Sequence, residues 1–195
     1  KAKGIAQMSD KDECEYIILV GSESGTAFDF AQRFYNGLTQ VGKKVYLTEL
    51  NKYTTYLNAK NIIVFTSTYG EGEPPSNARK FPAIFSTVVQ PNAIAYSVVG
   101  FGSLDYPDYC KYAIDLDQQI YADDNFERQL PLFKINQADF ESFELWLIQF
   151  SNKVGFTIPV KRPLIHKKKY KKVDFEVVER TDLNVDDTFL LRLRP

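Results

Sequence analysis

Apolar positions along this chain fall into two alternating kinds of run. Tyr16 to Val20 (YIILV) is a short unbroken apolar stretch of β-branched and aromatic type, as expected of a strand covered on both faces of a parallel sheet. Gly21 to Gly25 interrupts it. From Thr26 the apolar residues Ala27, Phe30, Ala31, Phe34 and Leu38 recur at helical spacing, ending near Gly37 and Gly42. The alternation then repeats. Val45 to Leu47 and Asn61 to Thr66 read as strands, a helical stretch begins near Ser76, and Ile94 to Gly100 reads as another strand. A helical segment from Tyr109 to Tyr121, an apolar run from Phe126 to Phe133 and a final helix follow. In that helix Asn136 is the expected N-cap, Asp139 comes three residues later, and Phe140, Phe143, Leu147 and Phe150 share one face. Pro82 falls inside the helix after Ser76, which predicts a kinked or short element. Strands alternating with helices predict an α/β fold, a doubly wound five-stranded parallel sheet with helices on both faces.

Beyond that sheet the pattern changes. Val173 to Pro195 shows two alternating runs separated by a turn, the signature of a β-hairpin rather than another strand-helix unit. The 195 residues, 44% hydrophobic with 15 Phe and 12 Tyr, suffice for one substantial core and an appendage. The expected organisation is an N-terminal extension (1–15), a sheet domain (16–158), a linker (159–172) and the hairpin segment (173–195). Charge separates these parts. Residues 1–159 carry 14 basic and 19 acidic groups, a net of −5, whereas residues 160–172 (VKRPLIHKKKYKK) hold seven basic groups and no acid.

An acidic body argues against nucleic acid as the partner, since a strand or duplex needs a basic footprint on the folded surface. The basic run is either a solvated linker or a patch for a polyanion or lipid headgroup. Cys14 and Cys110 lack metal-ligand spacing and read as free thiols in a reducing, cytoplasmic compartment; neither points to catalysis, and no metal site is expected. No apolar run approaches the roughly 18–20 residues of a membrane span, and no signal peptide is visible. Both ends of the sequence read as cuts, so a membrane attachment would come only through segments outside this chain.

Ligands of open α/β sheets bind outside the carboxyl ends of the strands. Three loops there are unusual. Gly21-Ser22-Glu23-Ser24-Gly25-Thr26 places three hydroxyls and two glycines between a strand and a helix, either as an anion site or as an ordinary turn with a Thr cap. It has no lysine, so a monophosphate held by neutral donors fits better than a magnesium-bound triphosphate. The segment Thr66 to Pro75 (TSTYGEGEPP) sets small donors and one aromatic beside glycines that allow close backbone approach to a flat ligand. Gly100 to Cys110 (GFGSLDYPDYC) again places tyrosines after glycines at a strand end. Each tyrosine alone reads as structural, but the three loops together describe a slot for a planar ring beside a phosphate seat.

The segments GSESGTAFDFA, STYGEGEPPSNARKF and GFGSLDYPDYC resemble the three FMN-binding loops of the flavodoxin-like domain of diflavin reductases, the family of cytochrome P450 reductase and sulfite reductase flavoprotein. The resemblance runs from about Tyr16 to Phe150. It implies that Ser22, Glu23, Ser24, Gly25, Thr26 and Ala27 hold the FMN phosphate. Ser67, Thr68, Tyr69, Gly70 and Gly72 would line one face of the flavin, and Phe101, Gly102, Ser103, Tyr106, Asp108, Tyr109 and Cys110 the other side. It further implies that Tyr69 and Tyr106 stack on the ring, and that the Gly70 carbonyl accepts from N5 of the reduced flavin. The sequence departs from the family at Leu130 to Lys134, apolar where a glycine- and acid-rich segment is common, and at Ser103, where Asn or Asp is frequent.

Val173 to Pro195 resembles the opening strands of the FAD-binding barrel of ferredoxin reductase-type enzymes. On this reading the domain takes electrons from an FAD/NADPH reductase module of the same polypeptide and passes them singly to a redox acceptor protein. Two other classes stay open in the sequence: a stand-alone FMN quinone or azo reductase, and a non-redox phosphate-binding signalling domain.

Overall fold

The computed structural model describes residues 11–162, 175–183 and 188–194. The chain divides into two compact units, Lys1–Arg162 and Pro163–Pro195. In the first, strands β1 (Tyr16–Gly21), β2 (Val45–Glu49), β3 (Asn61–Ser67) and β4 (Ile94–Gly102) are parallel, in the spatial order β2-β1-β3-β4. The outer place beside β4 is shared by two short pieces. β5 (Phe126–Arg128) pairs with its start, Ile94 to Tyr96, and β6 (Phe133–Asn136) with its end, Val99 to Gly102. The single run expected from Phe126 to Phe133 is therefore broken. Pro131 has no N–H to give to a ladder, and the chain rejoins β4 only beyond it.

Successive strand residues point to opposite faces, and each face has its own core. Ile18, Val20, Ile63, Phe65 and Val99 are covered by helices α1 (Thr26–Gln40) and α4 (Phe140–Val154), while Ile17, Leu19, Ile62, Val64 and Val98 lie on the other face with α2 (Phe81–Phe85) and α3 (Lys111–Tyr121). Helix α2 is only five residues long with Pro82 in its first turn, where the missing N–H costs nothing. The cap of α4 is Asp139, whose carboxylate accepts from the Glu141 and Ser142 amides. Asn136, the expected cap, instead ends β6 and accepts from the Leu104 amide. Between them Gln137 and Ala138 adopt left-handed backbone, φ 48° and 57°, which lengthens the turn by the residues that displaced the cap.

Lys11 to Glu15, expected in an N-terminal extension, pack against this unit. Cys14 is fully buried, and Glu13 and Glu15 pair with Lys44 and Lys60. At the other end Ile158 is buried and Arg162 pairs with Glu144, so ordered packing continues to Arg162. Residues 163–172 of the basic connector lie outside the described residues. Cys14 and Cys110 are both buried thiols outside any disulfide. No helix among the described residues is long and apolar enough to cross a membrane.

The second unit is an antiparallel pair, β7 (Glu176–Asp182) and β8 (Phe189–Arg194), with a bulge between Val177 and Glu179. One face carries the ion pairs Arg192–Glu179 and Arg194–Glu176. The other presents Phe189, Leu191 and Leu193, with Val177 opposite Leu193 and the ion-paired Arg180 and Asp182 opposite Leu191 and Phe189. All of these apolar side chains are exposed.

A candidate cofactor site at the carboxyl ends of three strands

Register brings the three unusual loops side by side. Gly21 at the end of β1 faces Thr66 of β3, and Thr66 and Ser67 face Gly100 and Phe101 of β4. The chain leaves β1 towards β2 on one side and returns to β3 on the other, so the loops part here and leave a crevice.

The first loop ends on helix α1, whose N-cap Gly25 makes no side-chain hydrogen bond to the helix. The opening amides of α1, with no preceding turn to bond, face outward with the positive end of the helix dipole. The Ser24 and Thr26 hydroxyls lie 3.3 Å apart at this end. Ser22 accepts from the Gly25 amide, 3.0 Å, and so shapes the turn. Two bonds tie this loop to the second. The Ser22 amide donates to Asn77 Oδ1 at 2.9 Å, and Glu23 Oε2 accepts from the Ser76 amide at 2.7 Å. Hydrogen bonds from the Ser76 backbone and hydroxyl hold the Glu23 carboxyl below its usual range. Glu23 is thus a clasp between loops, and Ala27 is buried in the core, main chain included.

The second loop folds back on itself through paired bonds between Tyr69 and Glu73, 2.9 and 2.8 Å. That turn needs positive φ at Gly70 (52°) and Gly72 (97°). Ser67 points its hydroxyl at the Gly21 carbonyl, 3.4 Å, and Thr68 Oγ1 accepts from the Tyr112 amide at 3.2 Å. In the third loop, a Cβ at Gly102 would lie 3.0 Å from the Cys110 amide nitrogen and 3.1 Å from the Tyr109 ring, so a larger residue would have to push Cys110 and Tyr109 aside by a few tenths of an ångström. Ser103, Asp105 and Gln137 form one hydrogen-bonded group that joins this loop to the turn after β6.

Two adjoining cavities open over these loops. The first, of about 390 Å³, runs from Thr68, Tyr69 and Gly70 to Tyr106, Asp108, Tyr109 and Cys110. The second, of about 360 Å³, reaches from Ser24 and Thr26 past Ser67 to Gln137 and Ala138. Thr68, Gly102, Ser103 and Tyr106 belong to both. Tyr69 and Tyr106 are 49% and 66% exposed although aromatic, which leaves their rings to a ligand rather than to the core. Burial pushes the Tyr109 phenol to about 12 and the Cys110 thiol to about 11, so both stay neutral at physiological pH.

Of the residues expected at the site, Ser22, Glu23, Gly25, Ala27 and Gly72 line neither cavity. Gly72 instead makes room for Lys111 and Asp108. Phe101 lines the second cavity, but its ring is buried and packs on Phe30 at 4.9 Å. Gln137 and Ala138 were not foreseen, nor was the Asn77 bond. The only signal for the first two was their place at the carboxyl end of the fifth strand position, without a glycine to mark the turn.

A family model described as Flavodoxin matches residues 18–146. Among curated proteins, the sulfite reductase (NADPH) flavoprotein alpha-component of Buchnera aphidicola subsp. Schizaphis graminum is 32% identical over 114 residues, covering 56% of this chain and 19% of that protein. NADPH oxidoreductase A of Dictyostelium discoideum is 26% identical over 139 residues, covering 69% of this chain and 22% of that protein. The matched stretch thus spans about a fifth of the length of these relatives. Among solved structures, the Streptococcus pneumonia TIGR4 flavodoxin is 27% identical with a TM-score of 0.61, covering 72% of this chain and 97% of that one. The oxidised flavodoxin 1 of Bacillus cereus, 15% identical with a TM-score of 0.59, shares the fold alone.

Proposed function

The chain belongs to the flavodoxin family, and from that premise we propose that its sheet unit holds FMN and carries electrons one at a time between a reductase module and an acceptor protein. One observation carries the reading: an uncapped helix start with two hydroxyls stands at one end of a joined pair of cavities, and two exposed tyrosines stand at the other. The donor set suits the cofactor. Neutral hydroxyls and helix amides match a lone phosphate monoester.

Bound FMN supplies a ring system that accepts and releases electrons singly. Around it, Ser24, Thr26 and the opening of α1 bind the phosphate, with Ser22, Glu23 and Gly25 shaping the loop and Ala27 packing the helix start onto the core. Tyr69 and Tyr106 stack against the ring and exclude water, while Gly70 offers its carbonyl to a ring N–H. Ser67, Thr68, Phe101, Gly102 and Ser103 form the floor, Gly72 keeps the second loop folded, and Tyr109 and Cys110 close the far side as neutral groups. Asp108 adds negative charge at the rim, which opposes further negative charge in the cavity.

The finer reading places this unit in a diflavin oxidoreductase, fed by an FAD/NADPH module of the same polypeptide. Two observations support it. The curated relatives are several times longer and are named for NADPH, and the C-terminal hairpin leaves Val177, Phe189, Leu191 and Leu193 exposed on one face, which two strands cannot bury. Such a hairpin suits the opening of a further sheet or barrel. The body's net charge of −5 suits a basic acceptor.

The test is anaerobic. The purified chain is mixed with FMN and reduced stepwise while its absorbance is followed; bound flavin taking up electrons in two separated single-electron steps is the expected result. Failure to bind FMN overturns the proposal, and one two-electron step favours the quinone or azo reductase reading. With a basic acceptor protein, the transfer rate is expected to drop roughly tenfold between about 0.01 and 1 M salt, as the screening length contracts from ~30 to ~3 Å.

A further inference from the structure

Lys134 stands on β6 opposite Gly100 of β4, directly behind the third loop. Its ammonium lies 5.4 Å from the centre of the Tyr109 ring, and Tyr109 lines the larger cavity. The same charge reaches Cys110, where it draws the thiol down against the burial that pushes it up. Among the described residues no carboxylate lies within ion-pair distance of Lys134. The other lysine of this region, Lys111, is bound to Asp115. The acids nearby point the opposite way in charge: Asp108 lines the cavity and Asp105 is held beside it by Ser103 and Gln137.

We propose that Lys134 is a positioning residue for electron transfer: an ammonium held against the outer side of the cavity through Tyr109, which raises the reduction potential of the bound cofactor. The inference rests on the FMN reading above. An electron that enters the cavity without a proton adds one negative charge, and a fixed cation nearby without a paired anion favours that charge. Lys134 thereby offsets the acidic rim. The tyrosine also screens the ammonium from the ring itself, so the effect is one of field and not of contact.

The experiment measures both one-electron potentials of the FMN-loaded chain by anaerobic spectroelectrochemistry, at low and at high salt. Wild type is compared with Lys134→Arg, Lys134→Gln and Lys134→Glu, and the dissociation constant of oxidised FMN is measured for each. Because Lys134 is exposed, the substitutions leave the fold intact, which circular dichroism verifies. Potentials are expected to follow charge: Arg matches wild type, Gln moves to more negative values, and Glu moves about twice as far. For Gln this corresponds to reduced FMN bound about three- to tenfold more weakly, with oxidised FMN within about twofold of wild type, and the shift shrinks as salt rises. Arg and Gln shifting equally, or all four potentials coinciding, overturns the proposal alone. Failure of the wild type to take up FMN overturns the reading beneath it as well.

Discussion

Replacing Tyr69 and Tyr106 together with alanine is expected to weaken FMN binding about 30- to 150-fold, while the chain without cofactor keeps its stability to within about 0.5 kcal/mol. The two halves of this expectation have one cause. Both rings are largely exposed, so their removal opens no cavity in the core. Stacking of a flat heterocycle on an aromatic side chain is worth about 1–1.5 kcal/mol per ring at the lower end of its measured range. Two rings give about 2–3 kcal/mol, and each 1.4 kcal/mol is tenfold in affinity. Isothermal titration with FMN and urea unfolding of the unliganded variants check the two sides. A variant that binds normally would show that the tyrosines serve something other than the cofactor. One that unfolds early would show that they belong to the core.

Trp146 presents the reverse case. It is fully buried among Phe34, Phe65, Phe143 and Phe150, with ring centres between 5.2 and 5.6 Å. Trp146→Ala is expected to cost about 3–5 kcal/mol, since it removes a large ring from the centre of one face of the sheet. Trp146→Phe should be far milder, within about 1.5 kcal/mol, despite the lost volume. The indole Nε1 has no hydrogen-bond partner in this core, and a buried donor without a partner carries a penalty of about 1–3 kcal/mol that phenylalanine does not incur. Its edge-on placement against Phe65 recovers only a weak contact with the ring. Urea midpoints for the two variants decide this. Equal losses would mean that the indole N–H is satisfied in solution.

Where the apolar pattern was long and regular, the sequence foretold the elements well. β1, α1 and α4 are covered on their patterned faces, and the glycine- and hydroxyl-rich loops lie at neighbouring strand ends because parallel register puts them there. Short-range conflict hid the rest. Pro131 splits an apolar run that periodicity alone cannot divide. Gln137 and Ala138 take left-handed backbone without being glycine, so nothing in their composition marks them as part of the second cavity or warns that the α4 cap shifts to Asp139. Phe101 looked like a ring contact from its position in a loop motif, yet it still belongs to β4 and points into the core. Glu23 lay in a phosphate-type loop, but its carboxylate is occupied by Ser76, a partner 53 residues away that no local pattern reveals.

That last bond, with its neighbour from the Ser22 amide to Asn77, has a kinetic meaning. The first two loops are braced to one another by groups that do not touch either cavity, so the brace stands whether or not a cofactor is present. A ligand arriving there meets a finished seat and has no segment to order as it enters. Uptake of FMN should accordingly be a single-exponential process whose rate rises linearly with FMN concentration and does not level off, as it would if a slow rearrangement had to come first.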